Sequence, residues 1–380
     1  MRKKKSLSPM DIVGPEAMEI HFQEEIMKDI LSKLPVRSLL RFRCVSKFWK
    51  TLISDHYFNL KHLNYAKNDQ DSQKFLICQT DPILSFYSCP FQQTEDVHKL
   101  DCSLNYTPLG CKIYSCCDGL VFLIASDGLN AQYLLWNPST RESILLPRPE
   151  FLMRGCMCGL AYDAASDGYK ILKIDGNVVN RQVSNEILVL KSGSWKRIGK
   201  PSIRPIIPML SGVASGRDCL AFVHGAFHWL GLSQYYTIFS FDISNEVYGE
   251  IPLLERMCNL FKIKYLKYEI SVLGGLLCFH STTNYQGEGT FKLWVMTDYG
   301  VKESWTNLYT IRDIDLLSAR PKYKFADGEL LLSFRYLNRR SLGPIFRTSK
   351  GSYFGLWPQC GYSQEGFAYI ESLISPKLLT

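Results

Sequence analysis

Apolar residues follow two different periods along this chain. In residues 19–62 they recur about every four positions, as from Phe22 to Ile30, which is the spacing of an amphipathic helix. Pro35 ends that helix and can open a second one, and Ser46 is a candidate N-cap for a third. The pattern therefore predicts three short helices in a segment too small to bury a large core by itself.

The remaining residues, 72–380, show short apolar or alternating runs separated by turn sequences every 8 to 12 residues. Runs of this kind are typical of antiparallel strands. Asn137-Pro138-Ser139-Thr140 is one turn sequence that directly follows such a run. This part of the chain is therefore predicted to be entirely β.

A glycine that precedes a strand provides an internal repeat. The pattern occurs at Gly119, Gly225, Gly275 and Gly328, which lie 106, 50 and 53 residues apart. The first gap is twice the others, so one copy near residue 172 is expected to have lost its glycine. A repeat of this length is typical of a four-stranded propeller blade, and the region is long enough for about six.

The two periods together predict an α+β multidomain chain, in which a small three-helix unit precedes an all-β propeller of six blades. Its predicted parts are a flexible basic tail (1–18), the helical unit (19–62), a linker (63–71) and the propeller (72–380).

Composition and charge exclude several classes of protein. With 46% apolar and 21% charged residues the chain is globular, and no stretch is long and apolar enough to predict a membrane span. Residues 1–62 hold 12 Lys and Arg against 7 Asp and Glu, or +5 of the total +8. The remainder therefore lacks the concentrated basic face of a nucleic-acid-binding protein, and neither nucleic acid nor membrane is an expected partner.

Cysteine usage predicts the compartment. The 13 cysteines are odd in number and scattered, without a Cys-x-x-Cys pair. Because a chain of this length can build its core without disulfides, reduced thiols in the cytoplasm, the nucleus or both are expected.

Enzymatic and metal signals are weak. His224 and His228 have the spacing of a helical zinc pair, but on a strand that spacing separates them by roughly 13 Å. No nucleophile elbow, dinucleotide fingerprint or intact phosphate loop is present in the sequence. No catalytic residue, cofactor or metal ligand is therefore predicted.

The run from Glu25 to Trp49 resembles the F-box of the large plant F-box family. It contains Leu34-Pro35, Leu39-Leu40, Arg41-Phe42-Arg43-Cys44-Val45 and then Trp49. The following region resembles the kelch-like F-box-associated domain. That likeness rests on Leu135 to Thr140, Gly159 to Asp163, His224 to Trp229 and Tyr369 to Leu373.

This resemblance implies a function without catalysis. The F-box would bind the Skp-type adaptor of an SCF-type cullin–RING ubiquitin ligase, and through it the cullin and RING subunits. The propeller would capture a protein substrate whose identity the sequence does not reveal. The adaptor-binding residues that the motif implies are Ile20, Leu34, Pro35, Leu39, Leu40, Val45 and Trp49.

Several alternatives remain open at this point. Ile30, Leu31 and Leu52 can instead hold the three helices together. Ile20-His21 stands where the family usually has Leu-Pro, which is expected to weaken adaptor binding and leaves an adaptor-independent interaction protein as a second hypothesis. A small-ligand or enzymatic site in the propeller channel is a third. Loops 231–236 and 282–289 are candidates for target contact, or ordinary exposed loops.

Overall fold

A computed structural model describes most of the chain between residues 24 and 379. The segments outside this description within that span are 80–83, 92–96, 103–107, 109, 128–129, 151–155, 176–184, 200–206, 209–218, 233–235, 264–265, 286, 338–344, 349–350 and 353–363. Among the described helices, none is long and apolar enough to span a membrane.

Four helices open the described chain. They are α1 (residues 24–31), α2 (Val36–Phe42), α3 (Lys47–Ser54) and α4 (His56–Asn68). Pro35 is the N-cap of α2, and the Ser46 and Asp55 side chains accept hydrogen bonds from the first turns of α3 and α4. The three predicted helices are therefore present, while residues 63–68, which the sequence assigned to a linker, form the end of α4.

The helices enclose a small apolar core. Its buried members are Leu31, Val36, Leu39, Leu52, Ile53, Phe58 and Leu373. Leu373 lies near the end of the chain, more than three hundred residues away in sequence. The helical unit therefore completes its core with a side chain from the C-terminal segment.

The strands of the described residues form six antiparallel sheets. The first contains β1 (Gln73–Gln79), β2 (Ser85–Pro90), β3 (His98–Leu100) and the last strand, β25 (Gln364–Ile370). The second contains β4 (Gly110–Cys117), β5 (Leu120–Ser126), β6 (Ala131–Asn137) and β7 (Glu142–Leu146). The third contains β8 (Cys156–Asp163), β9 (Gly168–Asp175), β10 (Glu186–Val189) and β11 (Ser194–Arg197).

The other three sheets follow in chain order. The fourth contains β12 (Ile207–Pro208), β13 (Ala221–Val223), β14 (Ala226–Leu232), β15 (Tyr236–Asp242) and β16 (Val247–Pro252), followed by a short helix α5 (Glu255–Cys258). The fifth contains β17 (Lys267–Leu273), β18 (Leu276–Tyr285), β19 (Glu288–Met296) and β20 (Trp305–Ile314). The sixth contains β21 (Leu316–Lys324), β22 (Leu330–Tyr336), β23 (Ile345–Arg347) and β24 (Gly351–Ser352).

The sheets close into a ring. Each contacts the next along the chain, and β21 of the sixth contacts β25 of the first. A buried apolar cluster lies at each of these six junctions. Because β25 pairs with β1 along its whole length, the end of the chain supplies the innermost strand of the first sheet. An all-β propeller after a helical unit was predicted, and this coarse prediction is confirmed.

Buried tryptophans lie at several junctions between the sheets. Trp136 is buried and its ring centroid is 4.9 Å from that of Phe86 in the neighbouring sheet. Trp229, Trp294 and Trp305 are buried in the clusters on the two sides of the fourth sheet. These rings supply much of the apolar area that joins one sheet to the next.

The repeated glycines lie in the turns that lead into β5, β14, β18 and β22. The repeat copy near residue 172 was predicted to lack its glycine, but Gly168 begins β9 immediately after Asp167, which has a positive φ of 45°. Gly119 has a φ of +82°, and a Cβ there would lie 2.2 Å from the Ser372 hydroxyl. Its turn therefore requires glycine for conformation and for close packing of the C-terminal segment.

The helical unit packs against this same turn. Lys67 of α4 forms an ion pair of 2.8 Å with Asp118, and the Ser372 hydroxyl donates to the Asp118 carbonyl. Leu63 of α4 is buried in the cluster between the second and third sheets. Side-chain contacts from α4 and from the C-terminal segment therefore join the helices to the propeller.

Candidate protein-interaction surfaces

The end of α2, the start of α3 and the loop between them present an exposed group of large apolar side chains. Val45 is 67% exposed, Phe48 50% and Phe42 36%, and the half-buried Trp49 contacts both phenylalanine rings. We call Phe42, Val45, Phe48 and Trp49 the aromatic patch. A compact patch of this kind on so small a unit indicates a protein-binding surface, because aromatic anchors dominate the energetics of interfaces.

The residues that the motif implied for adaptor binding differ in their exposure. Leu34, Leu40 and Trp49 are half-buried against the helical core, and Pro35 and Val45 are exposed. Leu39 is completely buried in that core, so its side chain is not available to a partner. Ile20 and His21 lie outside the described residues.

Helix α1 adds two exposed side chains that the motif did not indicate. Ile26 and Ile30 lie four residues apart, hence on one helix face, and Ile30 is 59% exposed. The internal helix contact predicted as one alternative for Ile30 is contradicted by this exposure. The sequence signal for these exposed side chains was the broad apolar stripe of α1. A helix that packs against a core on one side needs only a narrow apolar stripe.

Positive charge surrounds the aromatic patch. Residues 33–50 contain six Lys and Arg and no Asp or Glu, and most of these cations are exposed. A rim of one sign favours association with a surface of the opposite sign. This surface therefore combines an apolar centre with a cationic rim.

A second exposed apolar group lies on the fifth and sixth sheets. Tyr285 is 71% exposed at the end of β18, Ile314 is 75% exposed at the end of β20, and Leu337 follows β22. Backbone hydrogen bonds from Asp315 to Gly287 and from Leu337 to Asp315 hold the three segments side by side. We call Tyr285, Ile314 and Leu337 the distal patch.

The two loops proposed from the sequence have different outcomes. Residues 233–235, the centre of the 231–236 candidate, lie outside the described residues. Residues 282–285 and 288–289 belong to the paired ends of β18 and β19 rather than to an open loop, and they contribute Tyr285 to the distal patch. Of this segment, Tyr285 and Glu288 are exposed whereas Thr282 and Gly289 are buried, and its contact with a target stays a prediction.

The histidines of β13 and β14 have structural partners. The buried His228 lies between the Tyr299 hydroxyl, 2.7 Å from Nε2, and the Ala221 carbonyl, 3.3 Å from Nδ1. Burial is the main reason that the pKa of His228 is lowered to about 4. His224 is exposed and packs on the Tyr299 ring. Within the described part of the chain, no group of three or more His, Cys, Asp or Glu could hold a metal ion.

Comparison with known proteins identifies both parts. Residues 21–61 match the F-box domain and residues 73–338 match the F-box associated beta propeller domain. Similar proteins of Arabidopsis thaliana include F-box protein CPR1, 27% identical over 76% of this chain and 72% of that protein. An F-box/kelch-repeat protein is 23% identical over 93% of this chain and 95% of its own length.

Among solved structures, TolB from Acinetobacter baumannii matches with a TM-score of 0.42 and 11% identity, covering 74% of this chain and 68% of that chain.

The domain match at residues 73–338 spans well over half of the sequence. This chain therefore belongs to the F-box-associated β-propeller family and carries an F-box before its propeller.

Proposed function

We propose that the protein is the substrate-recognition subunit of an SCF-type cullin–RING ubiquitin ligase. The observation that carries the proposal is the aromatic patch on the F-box, which leaves large apolar side chains exposed beside a unit that has a small core of its own. The helices bind a Skp-type adaptor, and the propeller binds a target protein. Recruitment raises the local concentration of target lysines at the ligase, so this role requires no catalytic residue in the chain.

The adaptor surface combines the aromatic patch with Ile26, Ile30 and Pro35. Its apolar centre would be buried in the complex, and the surrounding cations would face acidic residues of the adaptor. Leu39 acts indirectly, because it supports the helices that present this surface.

The target surface lies at the far end of the propeller. The six sheets act as six blades of one ring, and the strands nearest the channel run in the same direction in such a ring. The turns between the first and second strands of the blades then lie on one face of the ring. The F-box contacts this face, because Lys67 of α4 pairs with Asp118 in one of these turns. The distal patch follows second and fourth strands and therefore lies on the opposite face. This arrangement holds the target away from the adaptor, at a distance set by the rigid ring.

Binding of a purified Skp-type adaptor to the full-length protein tests the proposal. We expect measurable affinity for the wild-type chain, at least a tenfold loss on Phe48→Ala or Val45→Asp, and an unchanged urea midpoint for both variants. Tyr285→Ala is the matched control, because it also removes an exposed apolar side chain but lies on the opposite face.

The test also separates the alternatives. If the wild-type protein fails to bind the adaptor and a His21→Pro variant binds it, the adaptor-independent role gains support. Unchanged affinity in both aromatic-patch variants would show that the adaptor uses another surface. Loss of affinity on Tyr285→Ala would contradict the assignment of the distal patch to the target.

A further inference from the structure

The outer edge of the fifth sheet differs from that of the other sheets. Its outermost strand, β20, contains ten residues and neither proline nor glycine. The outermost described strands of the other sheets contain between two and six residues, and the longest of them, β16, includes Gly249 and Pro252. Short strands and prolines are features by which proteins keep a sheet edge from pairing further. β20 has neither feature.

One bulge interrupts the pairing of β20 with β19. The register shifts between Leu293 and Trp294, beside Asn307 of β20. From Tyr309 to Ile314 the pairing continues without a further shift. This part of β20 is therefore a regular, extended edge.

The register determines which main-chain groups of this edge are open. In an antiparallel pair, alternate residues direct both their N–H and their C=O groups toward the same neighbouring strand. Just beyond β20, the Asp315 amide donates to the Gly287 carbonyl at 2.6 Å, and the same phase in β20 belongs to Ile311 and its alternate neighbours. The residues of the opposite phase direct their main-chain groups away from the sheet. They are Thr310, Arg312 and Ile314. Among the described residues, no backbone group pairs with them on that side.

Side chains on the other face fix this strand in the ring. Tyr309 and Ile311 pack against the apolar cluster between the fifth and sixth sheets, and Asp313 Oδ2 accepts a hydrogen bond from the Tyr336 hydroxyl at 2.7 Å. The open edge is therefore held in an extended conformation before a partner binds, which reduces the entropy lost on binding.

The exposed face of β20 continues the distal patch. Thr310, Arg312 and Ile314 are exposed and lie on one face, because side chains alternate along a strand. Ile314 itself belongs to the distal patch. An extended partner that contacts the distal patch therefore lies next to the open edge.

Two cationic side chains lie beside this edge. Lys292 of β19 is opposite Thr310, and Arg312 is two positions further along β20 on the same face. Neither side chain forms an ion pair with a described residue. Glu288, opposite Ile314, is the acidic side chain of this face of the two strands, and it forms no ion pair with Arg312. Carboxylates of an added strand would therefore meet cations beside Thr310 and Arg312.

The same charges disfavour a second copy of this chain as the occupant. Two β20 edges paired with each other would bring Arg312 and Lys292 of one copy close to the same residues of the other. Like charges at neighbouring positions of a sheet are destabilising. A separate segment with acidic side chains forms the same main-chain ladder without this cost.

We propose that the propeller binds its target by adding an extended acidic segment of that protein as a strand at the outer edge of β20. The segment pairs with the open main-chain groups from Thr310 to Ile314. Its alternate side chains are acidic beside Arg312 and Lys292 and apolar beside Ile314. In this mode main-chain bonds give affinity and alternate side chains give specificity. The proposal rests on the target-binding role proposed above and adds the kind of segment that is selected.

Isothermal titration of the full-length protein with the end-blocked peptide Thr-Ile-Thr-Glu-Thr-Glu-Thr tests this mode. We expect one peptide bound per chain, and about tenfold weaker binding when lysine replaces both glutamates. Thr310→Pro should weaken binding about tenfold or more, because it removes an outward N–H without breaking the ladder with β19. Thr310→Val is the matched control, because it keeps the main-chain donor and the branched side chain, and it should leave affinity unchanged. Arg312→Gln should weaken binding severalfold.

Methylation of peptide nitrogens gives a readout that does not depend on variants of the protein. In an added strand, only alternate N–H groups of the peptide face β20. Methylation of one alternate set should abolish binding, and methylation of the other set should leave most of it. Equal effects of the two sets overturn the proposal. If Thr310→Pro lowers the urea midpoint substantially, this comparison decides alone.

Adaptor affinity of the same samples separates this proposal from the ligase role. Adaptor binding without binding of the acidic peptide overturns the added strand and leaves the ligase role standing. Peptide binding with the expected methylation pattern but without adaptor binding supports the open edge and counts against the ligase role. Self-association of the wild-type protein that Thr310→Pro abolishes would show that a second copy occupies β20, which also overturns the proposal.

Discussion

The propeller and the F-box bury their apolar side chains in different ways. In the propeller, each junction between sheets has its own apolar cluster, and the pairing of β25 with β1 leaves the ring closed. The F-box has one small cluster, which includes Leu373 from the C-terminal segment, and it exposes the aromatic patch. The comparison teaches that the ring closes on its own strands, with Leu63 of α4 adding to one junction, whereas the F-box leaves large apolar side chains exposed.

The largest effect is expected where the ring is most tightly packed. Trp136→Ala should lower the free energy of unfolding by about 3–5 kcal/mol, because Trp136 is fully buried between the first two sheets. Urea unfolding followed by far-ultraviolet circular dichroism measures this loss. Tyr285→Ala should change the free energy by less than about 0.5 kcal/mol. Equal effects of the two variants would show that the Trp136 cluster does not join the sheets.

The next largest loss of stability is expected from substitutions in the core of the F-box. Leu39→Ala should cost about 2–5 kcal/mol of local stability, because its side chain fills the helical cluster. Leu40→Ala should cost less stability, since Leu40 is only half-buried. Hydrogen exchange of the F-box amides and adaptor affinity, measured on the same samples, distinguish the two roles. If Leu39→Ala weakens the adaptor complex without increasing exchange, Leu39 is a contact residue after all.

Leu39 and Leu40 show how much of the F-box could be predicted from the sequence. The motif predicts that both matter, but adjacent apolar residues on a short helix do not reveal which one faces inward, because that depends on how α2 packs against α3 and α4. Leu373 could not be found at all, since its contact with the F-box joins the two ends of the fold. The strand periods and turn glycines, by contrast, are local signals, and they predicted the sheets well.

The linker shows a different kind of error. Residues 63–71 are rich in polar side chains, yet α4 extends to Asn68 because Phe58, Leu63 and Ala66 recur on one face and are buried. The polar His62 between them obscured the pattern. It is buried as well, with Nε2 3.1 Å from the Leu34 carbonyl. A polar residue with a specific partner can therefore occupy a core position that a period search rejects.

A moderate effect is expected from pH. Burial is the main reason that the pKa values of His228 and His280 are lowered to about 4 from an ordinary value near 6.5. The unfolded chain therefore binds more protons between these values, so the free energy of unfolding should fall as pH decreases from 6.5 to 4. The loss from His228 alone should be on the order of 3 kcal/mol.

Urea unfolding at several pH values measures this dependence. His228→Gln should make the pH dependence shallower, whereas His56→Gln, which changes an exposed residue of the F-box, should leave it unchanged. A pH dependence that persists in full after His228→Gln would show that His228 accepts a proton in the folded ring, despite its hydrogen bonds with Ala221 and Tyr299.

The smallest effect is expected at Ser46, which caps the start of α3. This residue lies beside the aromatic patch, so one substitution can change both helix stability and adaptor affinity. The Ser46 hydroxyl accepts a hydrogen bond from the Trp49 amide at 3.2 Å, so Ser46→Ala should cost about 1 kcal/mol of helix stability. Adaptor affinity should fall modestly as well, because Trp49 belongs to the aromatic patch. Ser46→Asp keeps a capping acceptor and should restore helix stability, while it adds a negative charge to the cationic rim. Restored stability with affinity still reduced would therefore show that the rim charge contributes to binding, and restored affinity would show that the cap alone matters.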